Sequence, residues 1–566
     1  MHSLLLLCWL LITSTSFGAT IPVKFLPQDV TKGRGGFDLP ILRSSKRSTT
    51  PGKRGDVSGS VGLGDNSDLL YTVPIELGDD ATAVHLDTGS SDLWVITDTC
   101  SGGTCSSVTT ARYDSSTLNL TGAEVTMNYG DSTTGTSASG PIAFETATIA
   151  GISITGQTFV AVNTTTNPTV KYGVAGIFGL GFPSGSKVQE AVVEHTSGDI
   201  TNTDNFVLAT SDDGPLLSRI VMTDYLQAPM FSIALQRDTI DIGGGDGTLT
   251  VGKLPDGIDN SSLTWVPVRL YSSGEGGLRP PSFAPDEVYP FRWEIDIDGV
   301  YLDGQKIADS TEAATDGVDG TRVSALIDTG NSLLRGPSDV VKNILSTVSS
   351  SYNASDAYLS QAILPCATAH TLSFQIGGKM FPIDPRDFIG ELHSGDATNC
   401  VADNLVSTDP PGRGSLYRWS LGDPFFKSNL VAFHYGNLTH PSVDPPRVGI
   451  LSTVPDNADS LLQQAVKDAE ANGGNFESTV ELAPTAEAAA ASQVTVSLAG
   501  LTESTTGTLS SASGTASVTA TAVDSASPSD NSSDASNSQD NAAMAIGKAS
   551  RPCLSMLATV IIVLLF

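Results

Sequence analysis

The sequence predicts an all-β fold built from two related lobes, on three observations. Between residues 69 and 454, short apolar runs such as "YTVPIEL" and "TLTVG" alternate with Gly, Pro, Asn and Asp, as strands alternate with tight turns. The segments "VHLDTGSSDLWV", from residue 84, and "ALIDTGNSLLRG", from residue 325, repeat nearly the same pattern. Clear helical spacing occurs in "PSDVVKNILSTVSSSY", from residue 337, so helices are a minor part of this body.

The N-terminal segment predicts secretion. Residues 1–18 contain a short apolar run followed by small residues, which is typical of a signal peptide. Residues 19–54 hold eight basic and two acidic residues and include two dibasic pairs, Lys46-Arg47 and Lys53-Arg54. We interpret this segment as a basic propeptide that a dibasic-specific protease removes after Arg47, after Arg54 or after both. A solvated basic linker is the alternative interpretation.

The body divides into a first lobe, residues 55–235, and a second lobe, residues 236–454, each with one copy of the repeated pattern. The composition is 39% hydrophobic and only 16% charged, with 56 Gly and 30 Pro, which favours a β-rich secreted protein. The net charge of -31 excludes nucleic acid as a partner because phosphates would be repelled. We expect the body to be monomeric.

The C-terminal segments predict a stalk and a lipid anchor. Residues 455–541 fill with Ser, Thr, Ala and Asp, and we expect them not to bury enough apolar surface to fold, as in an O-glycosylated stalk. Residues 542–566 combine small residues, a spacer and the apolar tail "CLSMLATVIIVLLF", which is typical of a GPI-attachment signal that is removed on processing. An uncleaved tail anchor is the alternative.

Cysteines and sequons agree with an oxidising, secretory compartment. Four Cys fall in the mature body, and sequence closeness favours disulfides joining Cys100 to Cys105 and Cys366 to Cys400. Neither pair has a further His or Cys at ligand spacing, so we expect no zinc, and no other metal or cofactor. Candidate N-glycosylation sites are Asn119, Asn163, Asn260, Asn353, Asn437 and Asn531.

The repeated Asp-Thr-Gly predicts a pair of carboxylates that share one proton. Apolar residues precede Asp87 and Asp328, so strands carry each Asp inward, and the following Thr and Gly allow a tight turn. Two carboxylates about 3 Å apart cannot both ionise. One then acts as an acid and the other as a base, which is the chemistry that water needs to attack an amide.

These residues resemble the pepsin-like aspartic endopeptidases, over about residues 69–454. "AGIFGLGF", from residue 175, and "WSLGDPFF", from residue 419, look like the family's paired apolar segments, and "RVGIL", from residue 447, looks like its closing strand. The resemblance implies a bilobal fold with pseudo-twofold related lobes and a central active-site cleft. It also implies two of the family's disulfides at the Cys spacings given above.

The resemblance assigns roles to particular residues. Asp87 and Asp328 would hold the attacking water, with Gly89 and Gly330 in the turns. Thr88 and Thr329 would cross-brace the two loops, and Ser90 would donate a hydrogen bond to Asp87. "MNYGDSTTG" looks like the flap hairpin over the substrate; its roles fall to Tyr129, Gly130 and, as donor to the tyrosine hydroxyl, Trp94.

Two positions depart from the family's pattern. Asn331 stands where Thr or Ser is usual, so we expect its amide to supply the hydrogen bond to Asp328. Asp131 and Ser132 stand where the flap often has a small residue and Gly. We expect Asp131 to be a solvated acid, or else to attract a basic substrate side chain.

The segments together resemble the cell-surface fungal branch of the family, the yapsin and candidapepsin-like enzymes. That resemblance implies a zymogen that hydrolyses polypeptides in acid and reaches the plasma membrane or cell wall through a GPI lipid. One alternative is a non-catalytic cell-wall protein or inhibitor on the same scaffold, and another is an adhesin whose stalk is the functional part. Subsite specificity does not follow from the sequence.

Overall fold

A computed structural model describes residues 49–51, 55–108, 110–198, 203–243, 247–356 and 359–498. The predicted signal peptide, most of the propeptide, the later part of the stalk and the GPI-attachment signal lie outside these residues. Within them, no helix is both long enough and apolar enough to cross a membrane. Strand accounts for 37% of the described residues and helix for 21%, which confirms the predicted β fold class.

The elements follow one another as a succession of short strands. The strands up to residue 296 are β1 Thr49–Pro51, β2 Gly59–Gly62, β3 Gly64–Asn66, β4 Tyr71–Leu77, β5 Asp80–Asp87, β6 Leu93–Ile96, β7 Asn119–Tyr129, β8 Thr136–Ile149, β9 Ile152–Val162, β10 Thr164–Thr165, β11 Gly176–Gly179, β12 Met230–Ala234, β13 Thr239–Ile240, β14 Thr248–Val251, β15 Thr264–Tyr271 and β16 Tyr289–Asp296. The later strands are β17 Gly299–Leu302, β18 Gln305–Lys306, β19 Ser324–Ile327, β20 Leu334–Gly336, β21 Ile363–Pro365, β22 Leu372–Ile376, β23 Lys379–Pro382, β24 Gly390–Glu391, β25 Asn399–Val401, β26 Leu405–Ser407, β27 Trp419–Leu421, β28 Asn429–His434, β29 Arg447–Ser452, β30 Glu477–Ser478, β31 Val480–Glu481 and β32 Gln493–Val496.

Helices are short and lie between the strands. The α-helices are α1 Lys187–Ser197, α2 Thr203–Asp213, α3 Leu216–Met222, α4 Ser338–Val348, α5 Pro385–Phe388, α6 Asp423–Ser428, α7 Ala458–Ala471 and α8 Thr485–Ala490. Single 3-10 turns occur at Gly103–Ser107, Ser115–Thr117, Pro168–Tyr172, Pro183–Gly185, Asn260–Ser262 and Ser273–Glu275. Helix α4 lies in the segment for which the sequence predicted a helix. Its Val, Ile and Leu residues recur at helical spacing and are all buried, so they form the apolar face of the helix.

Two large sheets form the two lobes. The first has 12 strands among the described residues, with the path β1-β32-β9-β6-β11-β5-β4-β3-β31, and β7, β8 and β10 beside it. The second has 11, in the order β2-β14-β12-β28-β29-β15-β16-β19-β27-β20-β26. Strand β2 lies at the start of the predicted first lobe but pairs with β14, so the N-terminal segment belongs to the second sheet.

The sequence repeat is a repeat of strand pairing. Strand β5, which ends at Asp87, pairs in parallel with β11, and β11 pairs antiparallel with β6. Strand β19, directly before Asp328, pairs in parallel with β27, and β27 pairs antiparallel with β20. Each Asp-Thr-Gly therefore lies at the buried end of a strand that has the same place in its sheet, as the pseudo-twofold prediction requires.

An aromatic cluster packs the first lobe against the second below the Asp-Thr-Gly loops. The ring of Phe182 lies 4.1 Å from Trp293 and 5.6 Å from Tyr435, centroid to centroid. Both Trp293 Nε1 and the Tyr435 hydroxyl donate to the carbonyl oxygen of Leu180, at 3.0 and 2.7 Å. These buried rings fix the two sheets relative to each other, because each ring fills space between them and its polar atom is satisfied.

The expectation that the chain cannot fold after residue 454 is wrong for residues 455–498. Helix α7 buries an apolar face in the core, formed by Leu462, Ala465, Val466 and Ala469. Strands β30, β31 and β32 then pair with β13, β3 and β9, and β1 pairs with β32. The low average hydrophobicity of the segment hid this helical spacing, which suffices to bury one face. We call residues 455–498 the C-terminal extension.

Candidate active site

The two Asp-Thr-Gly loops face each other at the junction of the lobes. A methyl group at Gly89 would lie 2.3 Å from Oδ1 of Asp328, and one at Gly330 would lie 2.2 Å from Oδ1 of Asp87. Each glycine thus lies against the carboxylate of the opposite loop, at a distance that admits no side chain. The repeated glycine is required here because it allows the two carboxylates to approach each other.

Asp87 accepts three hydrogen bonds within its own loop. The backbone N–H of Gly89 donates to Oδ1 at 2.8 Å, and that of Ser90 donates to the same atom at 3.2 Å. The Ser90 hydroxyl donates to Oδ2 at 2.5 Å. These three donors fix the orientation of the Asp87 carboxylate within its loop.

Asp328 has a different environment. The N–H of Gly330 donates to its Oδ1 at 2.9 Å. Removal from bulk water, and then the charge of Asp87, raise the pKa of Asp328 to about 7, while the positive charges of Arg292 and Arg335 act in the opposite direction. A pair with one ionised and one protonated carboxyl can accept a proton from water and donate another to a carbonyl oxygen.

Two threonines join the loops below the carboxylates. The Thr88 hydroxyl donates to the carbonyl oxygen of Ile327 at 2.7 Å, and the Thr329 hydroxyl donates to that of Leu86 at 2.9 Å. Each hydroxyl also accepts from the backbone N–H of the other threonine, at 3.0 and 3.1 Å. This is the cross-brace that the sequence predicted, and both side chains are buried.

The flap hairpin consists of β7 and β8, with its tip at residues 130–135. Tyr129 ends β7, and Gly130 follows with φ of 84°, a left-handed conformation that suits glycine. Nε1 of the buried Trp94 donates to the Tyr129 hydroxyl at 2.9 Å, in the geometry that the sequence predicted.

The expected hydrogen bond from Asn331 to the Asp328 carboxylate is not formed. The Asn331 amide group donates instead to Leu333 O at 2.7 Å and to the Ser420 hydroxyl oxygen at 2.9 Å. Its Oδ1 accepts from Nε of Arg335 at 3.1 Å. The longer amide side chain reaches past the carboxylate, so its role is to hold Arg335 and the loop.

Asp131 is neither a freely solvated acid nor open to a substrate cation. Its Oδ2 accepts from Nη1 of Arg335 at 3.0 Å, and its side chain is only 14% exposed. Partial burial alone raises the pKa of Asp131, but hydrogen bonds from Thr133 and Thr134 lower it to about 2. The carboxylate is therefore already committed to a cation of the second lobe.

Arg292, Arg335 and Asp409 are site residues that the sequence reasoning missed. Arg292 donates from Nη1 to Gly89 O at 3.3 Å and from Nε to Gly414 O at 2.7 Å, so a second-lobe cation supports the first loop. Arg335 lies near the end of the second repeated segment, whereas the first segment has no basic residue there. This difference between the two segments could have identified Arg335 as a site residue. No comparable signal marked Asp409.

The predicted disulfides are both present in the structure, joining Cys100 to Cys105 and Cys366 to Cys400. Arg112 donates to the carbonyl oxygens of Cys100 and Cys105, which fixes the small loop between them. Among the residues that the structure describes, no group of three His, Cys, Asp or Glu side chains is placed to hold a metal ion.

Comparison with known proteins agrees with this geometry. The sequence model of eukaryotic aspartyl proteases matches residues 70–440. The chain belongs to this family. Pepsin A from Sus scrofa is 29% identical over 377 residues, covering 65% of this chain and 80% of the pepsin sequence. An aspartic protease from Phaffia rhodozyma is 27% identical over 419 residues, covering 72% and 81%. Major aspartyl peptidase 1 from Cryptococcus neoformans var. grubii is 24% identical over 391 residues, covering 67% and 69%.

Family membership makes this aspartyl protease an aspartic-type endopeptidase, which hydrolyses peptide bonds in polypeptides. The match confirms the pepsin-like fold and the general activity that the sequence resemblance implied. The family match ends at residue 440, so the C-terminal extension lies outside it.

Proposed function

We propose that Asp87 and Asp328 are the catalytic residues of this aspartyl protease and that they share one proton. The observation that carries the proposal is the crossed packing of the two loops. The glycine of each loop lies against the carboxylate of the other, where a methyl group would come within 2.2–2.3 Å of an oxygen. This packing turns the two carboxylates toward each other, as a pair that acts together on one water molecule and one carbonyl group must be.

The two carboxylates take different roles in the free enzyme. Asp328, with a pKa of about 7, holds the shared proton, and Asp87, oriented by three hydrogen-bond donors, acts as the base. Asp87 takes a proton from the water molecule as the water oxygen attacks the peptide carbonyl carbon. At the same time Asp328 donates its proton to the carbonyl oxygen. The C–N bond then breaks as Asp87 gives its proton to the leaving amine and Asp328 recovers one from the diol.

The pH dependence follows from the same assignment. The reactive form needs Asp328 protonated, so activity is lost as pH rises through about 7. Acidic conditions keep this proton in place on Asp328. We therefore place the working range of the enzyme in acid, as the family resemblance implied.

The flap completes the site. Tyr129 and Gly130 lie at the start of its tip, with Trp94 holding the tyrosine hydroxyl from the first lobe. Closure of this hairpin over a bound peptide would exclude water and align the scissile bond with the carboxylates.

The terminal segments support a cell-surface location. Residues 1–18 would direct the chain into the secretory pathway, and removal of the basic propeptide at Arg47 or Arg54 would activate it. The Ser/Thr-rich segment beyond the C-terminal extension would act as a spacer, and a GPI lipid would replace the tail within residues 542–566. This organisation resembles the yapsin and candidapepsin-like branch, and it places the enzyme on the plasma membrane or in the cell wall of a fungus.

Peptide hydrolysis between pH 3 and 7 by wild type, Asp87→Asn and Asp328→Asn tests the catalytic assignment. We expect either substitution to lower kcat/KM by about 10²- to 10⁴-fold, because each removes one half of the acid-base pair. Asp80→Asn is the matched control, since Asp80 is an exposed acid at the other end of β5. A pepstatin-type inhibitor should block the wild-type reaction.

The same assay decides between this proposal and a non-catalytic wall protein on the same scaffold. Full activity in either Asn variant would contradict the shared-proton pair. No cleavage of a diverse peptide library by the folded, processed wild type would favour the non-catalytic alternative.

A further inference from the structure

The flap tip is tied to the second lobe at a first point through Asp131. Oδ1 of Asp131 accepts hydrogen bonds from the backbone N–H and hydroxyl groups of Thr133 and Thr134, at 2.7–2.9 Å. This turn aims Oδ2 across the cleft at Arg335, the middle residue of β20 in the second sheet, and the two side chains form an ion pair of 3.0 Å. The tip thus presents a fixed carboxylate to a cation of the opposite lobe.

A second tie runs through the next residue of the tip. The backbone N–H of Ser132 donates to Oδ2 of Asp409 at 2.9 Å, and the Ser132 hydroxyl donates to Oδ1 at 2.7 Å. Asp409 follows β26, the strand that pairs with β20. Two neighbouring residues of the flap tip therefore bind at two neighbouring strands of the second lobe. Asp131 binds a cation, Arg335, and Ser132 binds a carboxylate, Asp409.

The first tie continues into the loop that carries Asp328. Arg335 donates from Nε to Asn331, and Asn331 in turn donates to Leu333 O and to the Ser420 hydroxyl oxygen. A continuous chain of hydrogen bonds therefore joins the flap tip to the second Asp-Thr-Gly loop. The two positions that departed from the family's sequence pattern, Asp131 and Asn331, are the two partners of one arginine.

We propose that Asp131, Ser132, Arg335 and Asp409 form a clasp that holds the flap tip over the cleft, and that Arg335 and Asp409 are positioning residues for flap closure over the substrate. The clasp opens to admit a polypeptide and re-forms over it, which retains the peptide beside the dyad. This inference deepens the proposed function and rests on the roles given above to Asp87 and Asp328.

The exposure of the groups supports a role in positioning. Arg335 is 23% exposed and Asp131 14%, so their pair is more shielded from water and salt than an ordinary surface pair. Hydrogen bonds that keep the pKa of Asp131 at about 2 leave its carboxylate charged throughout the acidic working range. The clasp therefore stays intact under the conditions in which the enzyme is expected to work.

Hydrogen exchange of the flap-tip amides in the full-length, processed protein tests the contact without relying on catalysis. We expect Arg335→Gln to speed exchange at residues 130–136 about tenfold and Asp409→Ala about threefold, because hydrogen bonds to charged groups restrain the tip. Both substitutions lie on the second lobe, so they reach the flap only through the clasp. Lys379→Gln removes an exposed cation from β23 of the same lobe and should leave the exchange unchanged.

Dissociation of a pepstatin-type peptide inhibitor tests the role of the contact. We expect Asp409→Ala and Arg335→Gln to release it about five- to tenfold faster, and to raise KM more than they lower kcat. Arg335→Lys should recover part of the loss because it keeps the charge. Asp409 is exposed, so its variant is expected to fold even if an Arg335 variant does not.

The outcomes separate the clasp from the catalytic assignment. Unchanged flap exchange in both Arg335→Gln and Asp409→Ala overturns the clasp, whatever the activity of the wild type. Faster exchange with unchanged inhibitor release and unchanged KM overturns its role in retaining the peptide. Inactivity of the wild type refutes the proposed function. The exchange measurement would still test whether the clasp restrains the flap tip, because it does not depend on catalysis.

Discussion

The loop at Asp87 and the loop at Asp328 have the same Asp-Thr-Gly motif, the same strand pairing and the same threonine brace. They differ in the hydrogen bonds that the fourth residue of each loop makes near the carboxylate. The fourth residue of the first loop, Ser90, donates its hydroxyl to Asp87. The fourth residue of the second, Asn331, turns away from Asp328 and holds Arg335.

This difference shows how two loops with the same sequence motif can give different surroundings to the same type of side chain. The buried features, strands and brace, remain symmetric because both lobes need them to bring the loops together. The polar residue beside each carboxylate differs, because Ser90 donates to Asp87 whereas Asn331 donates to Leu333 and Ser420 and not to Asp328. Three predictions test how far symmetry extends.

The largest effect is expected from breaking the symmetric part. Thr88→Val and Thr329→Val each keep the side-chain shape but remove a hydroxyl that donates once and accepts once across the loops. We expect each to lower the free energy of unfolding by about 2–4 kcal/mol, since buried partners are left unsatisfied. Urea unfolding measures this, with Thr126→Val, an exposed threonine of the flap, as the control. A large cost at one position and none at the other would show that the brace is not symmetric.

A second effect, of similar size, is expected from the pKa of Asp328. Between about pH 4 and 7 the folded chain keeps a proton on Asp328 that the unfolded chain has released, because folding raises this pKa from 3.8 to about 7. The resulting stability is fully present below pH 3.8 and is lost as pH rises through about 7. Relative to Asp328→Asn, the free energy of unfolding of the wild type should therefore fall by about 3 kcal/mol over this interval.

Urea unfolding at pH 4, 5.5 and 7 measures that difference. Asp80→Asn serves as the control, because it removes an exposed carboxylate from β5 without touching the pair. A difference between wild type and Asp328→Asn that stays constant with pH would contradict the raised pKa.

The smallest effect is expected at the fourth residue of each loop. Ser90→Ala removes a hydroxyl that donates to Asp87, so we expect kcat at the acidic optimum to fall by about three- to tenfold. Asn331→Ala removes no hydrogen bond to Asp328, and we expect it to lower kcat by less than about twofold. Equal losses of kcat in the two variants, measured with the same peptide, would show that the two loops hold their carboxylates alike.

The sequence was sufficient for those parts of the site that depend on local pattern. Buried strands before Asp87 and Asp328, the threonines that follow, and the spacing of Trp94 and Tyr129 were all readable, and the structure places them together. Helix α4 was readable for the same reason, because its apolar residues recur at helical spacing. Each of these features is set by neighbours along the chain or by the repeat.

The contacts that were not predicted join distant residues through long side chains. Asp131 and Arg335 are 204 residues apart, and either could have been a solvated charge. Asn331 has two polar ends and several acceptors within reach, so its partner depends on tertiary geometry. The C-terminal extension was misjudged because its composition was averaged over residues 455–541, whereas burial depends on the periodicity of α7.

The C-terminal extension gives the two halves of the enzyme a second connection, made by strand pairing. The chain leaves the second sheet after β29, and its last described strands, β31 and β32, join the first sheet beside β3 and β9. After a single backbone cut in the segment between the lobes, the second half would therefore still be held to the first sheet by the hydrogen bonds of its own C-terminal strands. The extension thus makes the association of the two lobes less dependent on the one segment of chain that joins them.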